Sequence, residues 1–309
     1  MMALRMLSAA VAALILPSAY GAGDSVVVRF DAKPKPDVKT LFAASADISN
    51  AAGKWQLGVK NLRAHGNAPR RFSFATGNGR QNGFSGLISS VALEVNGIPW
   101  EKLLVRERGV RQWNPPGDRR GVEMFFNFDG VPVRVRASMA PGSPTLDFEI
   151  TPSTRGQMAP TSMVVRVSSI PSFLDCGHGK PTRFFGYRRQ VRTEKRLIGP
   201  VKSGKFALDA GERVFVMEDA DYDGASEGRG QGPSAVLLAD ATPGFAHVND
   251  SWTVDMRFTP DPSKTFRFSL LEWPEKRVSN ADFEREAAAL AKSVLSPCAK
   301  RRPRRPAGS

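Results

Sequence analysis

The sequence predicts an all-β fold, a large antiparallel sandwich with one C-terminal helix. Three observations carry that prediction. Eleven segments are rich in β-branched and aromatic residues, and several alternate apolar with polar positions. Asn96-Gly97 and Asp129-Gly130 each separate two such runs, and both dipeptides suit the positive φ angles of a two-residue type I′ hairpin turn. One late segment alone has a convincing helical period.

The chain opens MMALRMLSAAVAALILPSAYGAG. Arg5, an apolar run from Leu7 to Leu16, Pro17 and small residues up to Gly21 follow the order of a secretory signal peptide, so residues 1–22 read as an export signal. The apolar run is shorter than the roughly 20 residues a membrane span needs. No later segment is long and apolar enough to span, and the expected location is exported, periplasmic or extracellular.

Residues 23–275 read as the sandwich domain. Its strands are SVVVRF (25–30), WQLGVKNL (55–62), LISSVALEV (87–95), VEMFFNF (122–128), VPVRVRA (131–137), LDFEI (146–150), SMVVRV (162–167), RVFVM (213–217), SAVLL (234–238), TVDMRF (253–258) and FRFSLLEW (266–273). Val131, Val133 and Val135 fall on one face, with Arg134 and Arg136 on the other. DVKTLFAASADI (37–48) reads as a short helix. SNADFEREAAALAKSVL (279–295) reads as the C-terminal helix, with Ser279 and Asp282 as a capping-box variant and Phe283, Ala287, Leu290 and Val294 as its apolar stripe. This helix, within 276–298, is expected to pack on the sandwich. No Pro/Gly/Ser linker divides the domain, and no repeat of fixed period is present.

Two cysteines survive export, and in an oxidising compartment a Cys176–Cys298 disulfide is the natural pairing. Two buried free thiols are the alternative. The formal charge is +14; Arg5 and five cations of the tail KRRPRRPAGS account for six of it, leaving +8 on the body. Residues 299–309 read as a solvated, disordered basic tail. Body arginines cluster at Arg63, Arg70, Arg71 and Arg80, at Arg106, Arg108, Arg111, Arg119 and Arg120, and at Arg183, Arg188, Arg189 and Arg192, with Lys195 and Arg196 beside them. Guanidinium groups contact carboxylate, sulfate and phosphate bidentately, which makes an acidic polysaccharide or cell-envelope component a candidate partner. An arginine-rich composition is the plain alternative.

The segments GNGRQNGFSGLISSVALEVNGIPW and VEMFFNFDGVPVRVRASMAPGSPTLDFEITPS, roughly residues 77–152, resemble the galactose-mutarotase-like β-supersandwich. A Gly-rich lead into paired strands and a PGSP turn carry the resemblance, which is partial. It implies a supersandwich-like arrangement and carbohydrate chemistry. Epimerases of that family use paired histidines and a carboxylate, and none of these matches this sequence position by position.

Candidate sites are few. In DADYDGASEGRG (219–230), Asp219, Asp221, Asp223 and Gly224 repeat the first half of a calcium loop, and Glu227 is a further ligand candidate. The twelfth position is Gly230, which has no ligating side chain, and an acidic turn between strands explains the same residues. Calcium is the sole candidate ion, and no cofactor is required. The histidines are His65, His178 and His247; each has an acid–base reading and a plain reading as a solvated loop residue. Glu123, Asp147 and Glu149 are carboxylates for glycoside chemistry, or simply the polar side of alternating strands. Trp113, Tyr187 and Trp252 lie near turns; with Arg70, Arg71, Arg188 and Arg189 they form the candidate ligand-binding set. No G-x-S-x-G, H-E-x-x-H or phosphate-binding glycine loop is present, and a nucleic-acid or nucleotide role is disfavoured.

The leading expectation is therefore an exported, non-enzymatic carbohydrate-binding or envelope-associated β-sandwich that prefers acidic glycans. The alternatives are a carbohydrate-active enzyme (epimerase, lyase or hydrolase) on the same fold, and an interaction protein that uses its basic tail.

Overall fold

The computed structural model describes residues 25–33, 40–62, 71–77, 88–100, 103, 110–115, 117–153, 155, 157–169, 189–219, 234–249 and 253–272. The signal peptide, the Cys176–Cys298 pair, the C-terminal helix and the basic tail all lie outside these residues.

The described chain is built of antiparallel strands in three sheets. Nine strands form the largest, in the order β13-β12-β15-β16-β19-β10-β9-β8-β7. Its members are β7 (Val110–Trp113), β8 (Arg120–Phe128), β9 (Val131–Met139), β10 (Leu146–Pro152), β12 (Arg189–Thr193), β13 (Leu197–Val201), β15 (Val214–Asp219), β16 (Ser234–Leu238) and β19 (Phe266–Glu272). Six strands form the second, in the order β14-β17-β18-β11-β5-β6. These are β5 (Ile88–Val95), β6 (Ile98–Pro99), β11 (Met163–Ser169), β14 (Gly204–Ala207), β17 (Gly244–Val248) and β18 (Val254–Phe258). The third runs β1-β2-β3-β4, from β1 (Val27–Lys33), β2 (Thr40–Asn50), β3 (Gly53–Leu62) and β4 (Arg71–Gly77).

Both expected hairpins form. Asn96 and Gly97 have φ of 51° and 75°, and Asp129 and Gly130 have 49° and 88°. Positive φ at both central residues is what a type I′ turn demands, and its twist matches that of the strands it joins. All eleven expected strands are present, most with ends shifted by one or two residues.

The segment 37–48 corrects the sequence reading. Thr40–Asn50 is a strand, paired with β3 along its length and with β1 from Ala43 to Ser49. Its alanines favour a helix, but an isolated helix this short is marginal, and two strand partners bond the backbone that such a helix would leave half-bonded at its ends.

The nine- and six-stranded sheets face one another across a common core, with the four-stranded sheet over the β7–β9 end. Rings from opposed sheets meet at Phe215 and Phe258, 5.5 Å apart, and at Phe258 and Phe266, 6.1 Å apart. Trp100 is buried against Phe126 at 5.3 Å, so it is a core residue. The PGSP turn is an anchor for the four-stranded sheet: Asn50 Nδ2 donates to Ala140 O and Ser143 O, and Trp55 Nε1 donates to Pro144 O at 2.9 Å.

Strand alternation then decides what the outside of the nine-stranded sheet shows. On β8, β9 and β10 the even or odd apolar set turns inward, and Glu123, Arg134, Arg136, Asp147 and Glu149 are left on the outer face.

Candidate functional site

Register assembles the outer-face residues into a row. Arg111 on β7 stands opposite Glu123 on β8, Glu123 opposite Arg136 on β9, Arg136 opposite Glu149 on β10, and Glu149 opposite Arg267 on β19. Charge therefore alternates plus, minus, plus, minus, plus across five strands. Opposite charges directly across a strand pair attract, so the row reinforces the register that builds it.

The contacts are direct. Arg111 Nη2 lies 2.6 Å from Glu123 Oε2, and Arg136 Nε lies 2.8 Å from Glu123 Oε1. Arg136 Nη1 reaches Glu149 Oε1 at 3.1 Å, and Arg267 Nε reaches Glu149 Oε2 at 3.2 Å. Arg134 stands beside both acids, at 3.8 Å from Glu123 and 3.7 Å from Glu149. A second row lies alongside. Asp147 is held by Arg119, by the Ser269 hydroxyl at 2.6 Å and by the Thr145 hydroxyl at 3.1 Å.

The arrangement is polar in depth. The Glu123 side chain is 1% exposed, whereas those of Arg111 and Arg267 are 65% and 55% exposed. Glu123 lies beneath its arginines, whereas Glu149 and Asp147 are about as exposed as Arg136. Five arginines meet three carboxylates, so the face presents net positive charge to solvent.

Two aromatic rings belong to this face. Trp113, opposite Gly121 in register, has the Arg136 guanidinium 4.7 Å from its ring centroid. Phe125 is exposed, with the Arg111 guanidinium 5.1 Å from its ring centre. Gly121 is required here by space: a Cβ would sit 2.0 Å from Ala137 O.

Burial pushes the Glu123 carboxyl up, but hydrogen bonds from Arg111 and Arg136 and the charge of both outweigh it, leaving its pKa below the ordinary value of 4.5. A carboxyl so held stays ionised at neutral pH and has no proton to give, so Glu123 is not suited to act as a general acid. Asp147 and Glu149 share one face of β10, as their spacing requires, and both are engaged by arginines.

Of the candidate ligand-binding set, Trp113 joins this face. Arg189 does not. It is 1% exposed and points inward, because it shares the side of β12 that carries Val191 toward the core. Its guanidinium donates to Thr253 O at 3.4 Å and to Lys202 O at 3.1 Å. These contacts make it an internal tie between β12 and the two carbonyls. Arg70, Tyr187, Arg188 and Trp252 lie outside the described residues, as does the side chain of Arg71.

Asp219 is the last residue of β15, paired with Arg189, so the acidic loop is one residue shorter than the sequence suggests. Asp221, Asp223 and Glu227 lie outside the described residues, as do His65 and His178. Glu218, beside the loop, already accepts hydrogen bonds from Gln190 Nε2 at 2.6 Å and Arg192 Nε at 3.1 Å. No group of three metal-ligating side chains occurs among the described residues. His247 is half-buried on β17, opposite Lys205 and Asp255.

Sequence reasoning named Arg111, Arg119 and the carboxylates but did not bring them together with Arg134, Arg136 and Arg267. The available signal was the alternation of β9 and β10; the missing information was which strands are neighbours and in what register.

No family model matches the sequence, and no curated protein matches it. Coarse likenesses exist among solved structures. The GH36 α-galactosidase AgaA A355E of Geobacillus stearothermophilus aligns with 72% of this chain and 40% of its own, at 7% identity and a TM-score of 0.41. An α-mannosidase of Enterococcus faecalis V583 aligns over 87% of this chain and 38% of its own, at 10% identity and a TM-score of 0.44. This chain thus spans about two fifths of those enzymes. A candidate aldose 1-epimerase of Klebsiella pneumoniae aligns over 86% of this chain and 88% of its own, at 9% identity and a TM-score of 0.44.

Proposed function

We propose that the protein is an exported carbohydrate-binding β-sandwich protein that takes acidic glycans on the outer face of β7–β10 and β19. One observation supports this reading above the rest: the Arg111 and Arg267 guanidinium groups, each more than half exposed, are held by carboxylates at the two ends of a row that carries Arg134 and Arg136 between them. Glu123 and Glu149 fix the arginines in place before any ligand arrives, which lowers the ordering cost of binding. Each exposed guanidinium keeps free N–H groups for a uronate or sulfate oxygen. Phe125 offers an apolar surface beside Arg111 on which a sugar ring packs.

A row of charges along an outer sheet face suits a polymer better than a small buried substrate, and the depressed pKa of Glu123 is unhelpful to hydrolysis. The test is an array of neutral and acidic glycans probed with the full chain, in calcium and in chelator. Retention of acidic glycans alone, weakened about tenfold or more by Arg111→Gln with Arg267→Gln, is the expected result. Equal retention of neutral glycans, or indifference to the double change, overturns the assignment. Loss of binding in chelator assigns part of the role to the 219–230 loop.

A further inference from the structure

We infer that the polymer held on the outer face of β7–β10 and β19 is a linear glycan that carries an acidic group on every second sugar. This rests on the proposed glycan-binding role of that face and narrows it. The cations there follow a rule by strand. Arg111 lies on β7, Arg134 and Arg136 lie on β9, and Arg267 lies on β19. The strands between them place Glu123 and Phe125 (β8) and Glu149 and Thr151 (β10) in the same two registers. Neither strand adds a cation to the row. Arg119, which precedes β8, is taken up by Asp147 on the opposite side of the row from Phe125.

The spacing matches a sugar chain laid across the strands. Neighbouring strands lie about 4.8 Å apart, so cationic strands recur about every 10 Å. A pyranose in an extended chain advances the polymer by close to one strand spacing, so one sugar falls over each strand. Sugars over β7, β9 and β19 then meet arginine. Those over β8 and β10 meet carboxylates, and an acid placed there is repelled by Glu123 or Glu149. Arg134, 3.8 Å from Glu123 and 3.7 Å from Glu149, offsets part of that repulsion without moving the cations off β9. Phe125 is exposed two residues from Glu123 on the same strand, so the surface over β8 offers an apolar ring and no cation. A neutral sugar suits that position. Sheet twist turns each strand against the next by roughly 20°, and a glycosidic chain follows that turn one linkage per strand.

Charge density alone predicts a different ligand. A homopolymer of uronate carries an acid on each sugar, twice the density of a polymer that alternates uronate with N-acetylhexosamine. Unspecific attraction to a basic face favours the denser chain. The strand-by-strand pattern favours the alternating one, because its neutral sugars fall where the acids of the protein lie.

The experiment measures the affinity of the full chain for both polymers, and for a neutral glucan, by isothermal titration at about 0.15 M salt, where long-range attraction is screened. The alternating polymer is expected to bind about tenfold tighter per sugar than the homopolymer. Glu149→Gln should narrow that preference, because it removes the repulsion over β10. The ratio of the two affinities is read, so a looser hold on Arg136 and Arg267 does not mask the effect. A homopolymer bound as tightly or more tightly overturns the inference and leaves the glycan-binding reading standing. A ratio unchanged by Glu149→Gln overturns it too. Binding of neither acidic polymer, or equal binding of the glucan, overturns the glycan-binding reading itself and this inference with it.

Discussion

Glu123 concentrates the chemistry of the outer row in one carboxylate. It is buried, it accepts from Arg111 and Arg136, and Arg134 stands 3.8 Å away. Removing a buried charge leaves its partners uncompensated, so Glu123→Gln should destabilise the fold by about 1–3 kcal/mol in urea unfolding. The pH dependence has a definite sign. The folded pKa lies below the ordinary 4.5, so the ionised group contributes stability that is fully present above that value. The contribution is lost as pH falls through the folded pKa. The gap in stability between wild type and Glu123→Gln is therefore expected to hold steady above pH 4.5 and to narrow below it. A gap that stays constant into strong acid would falsify the assignment of that stability to the carboxylate. Arg189 teaches the opposite lesson at the same scale. Its composition reads as a surface cation, yet its place on β12 turns it into the interior, where Thr253 and Lys202 carbonyls receive it.

Among elements, those with strong alternation were legible from sequence and those without it were not. VPVRVRA and LDFEI announce both their strand and their inner face, and their hairpin turns announce antiparallel pairing. The segment of β2 misleads because AASAD carries little β-branched residue, and its strand state comes from its two partners. Short strands such as β12, β13, β14 and β17 escape notice because four or five residues hold too little period. The site was half legible: its residues could be named, but their meeting depends on register between strands far apart in sequence. One apolar strip is also explained only at this scale. Val214, Val216, Ala235, Leu237 and Leu271 are buried yet lie on the outer side of β15, β16 and β19, apart from the inter-sheet core. The segment expected to pack on the sandwich follows directly on β19, and its apolar stripe of Phe283, Ala287, Leu290 and Val294 suits this strip. Truncation at residue 275 should then expose it, raising the fluorescence of a hydrophobic dye and lowering the thermal midpoint. Unchanged dye binding would remove the C-terminal segment as its cover.

For the molecule as a whole, the question is which of its positive charges recognise a partner. The +14 is divided between a body and a tail, and the two act over different distances. Lys300, Arg301, Arg302, Arg304 and Arg305 put five positive charges on a short Pro-containing run, and charges so concentrated attract a polyanion over the Debye length. Arg111, Arg134, Arg136 and Arg267 are fixed by Glu123 and Glu149, so they act at contact range. Salt separates the two. Between about 0.01 M and about 0.15 M the Debye length contracts from ~30 to ~8 Å, which weakens long-range attraction more than contact pairs. Deleting 299–309 should therefore slow association and flatten its salt dependence, while affinity for an acidic glycan at about 0.15 M salt falls by no more than about threefold. Arg111→Gln with Arg267→Gln should do the reverse, raising the dissociation rate and costing about tenfold or more in affinity. Surface plasmon resonance on an immobilised uronate polymer, run as a salt series, reads both quantities. If tail deletion abolishes binding and the double change does not, the tail is the recognition element and the five-strand row is a device for holding register.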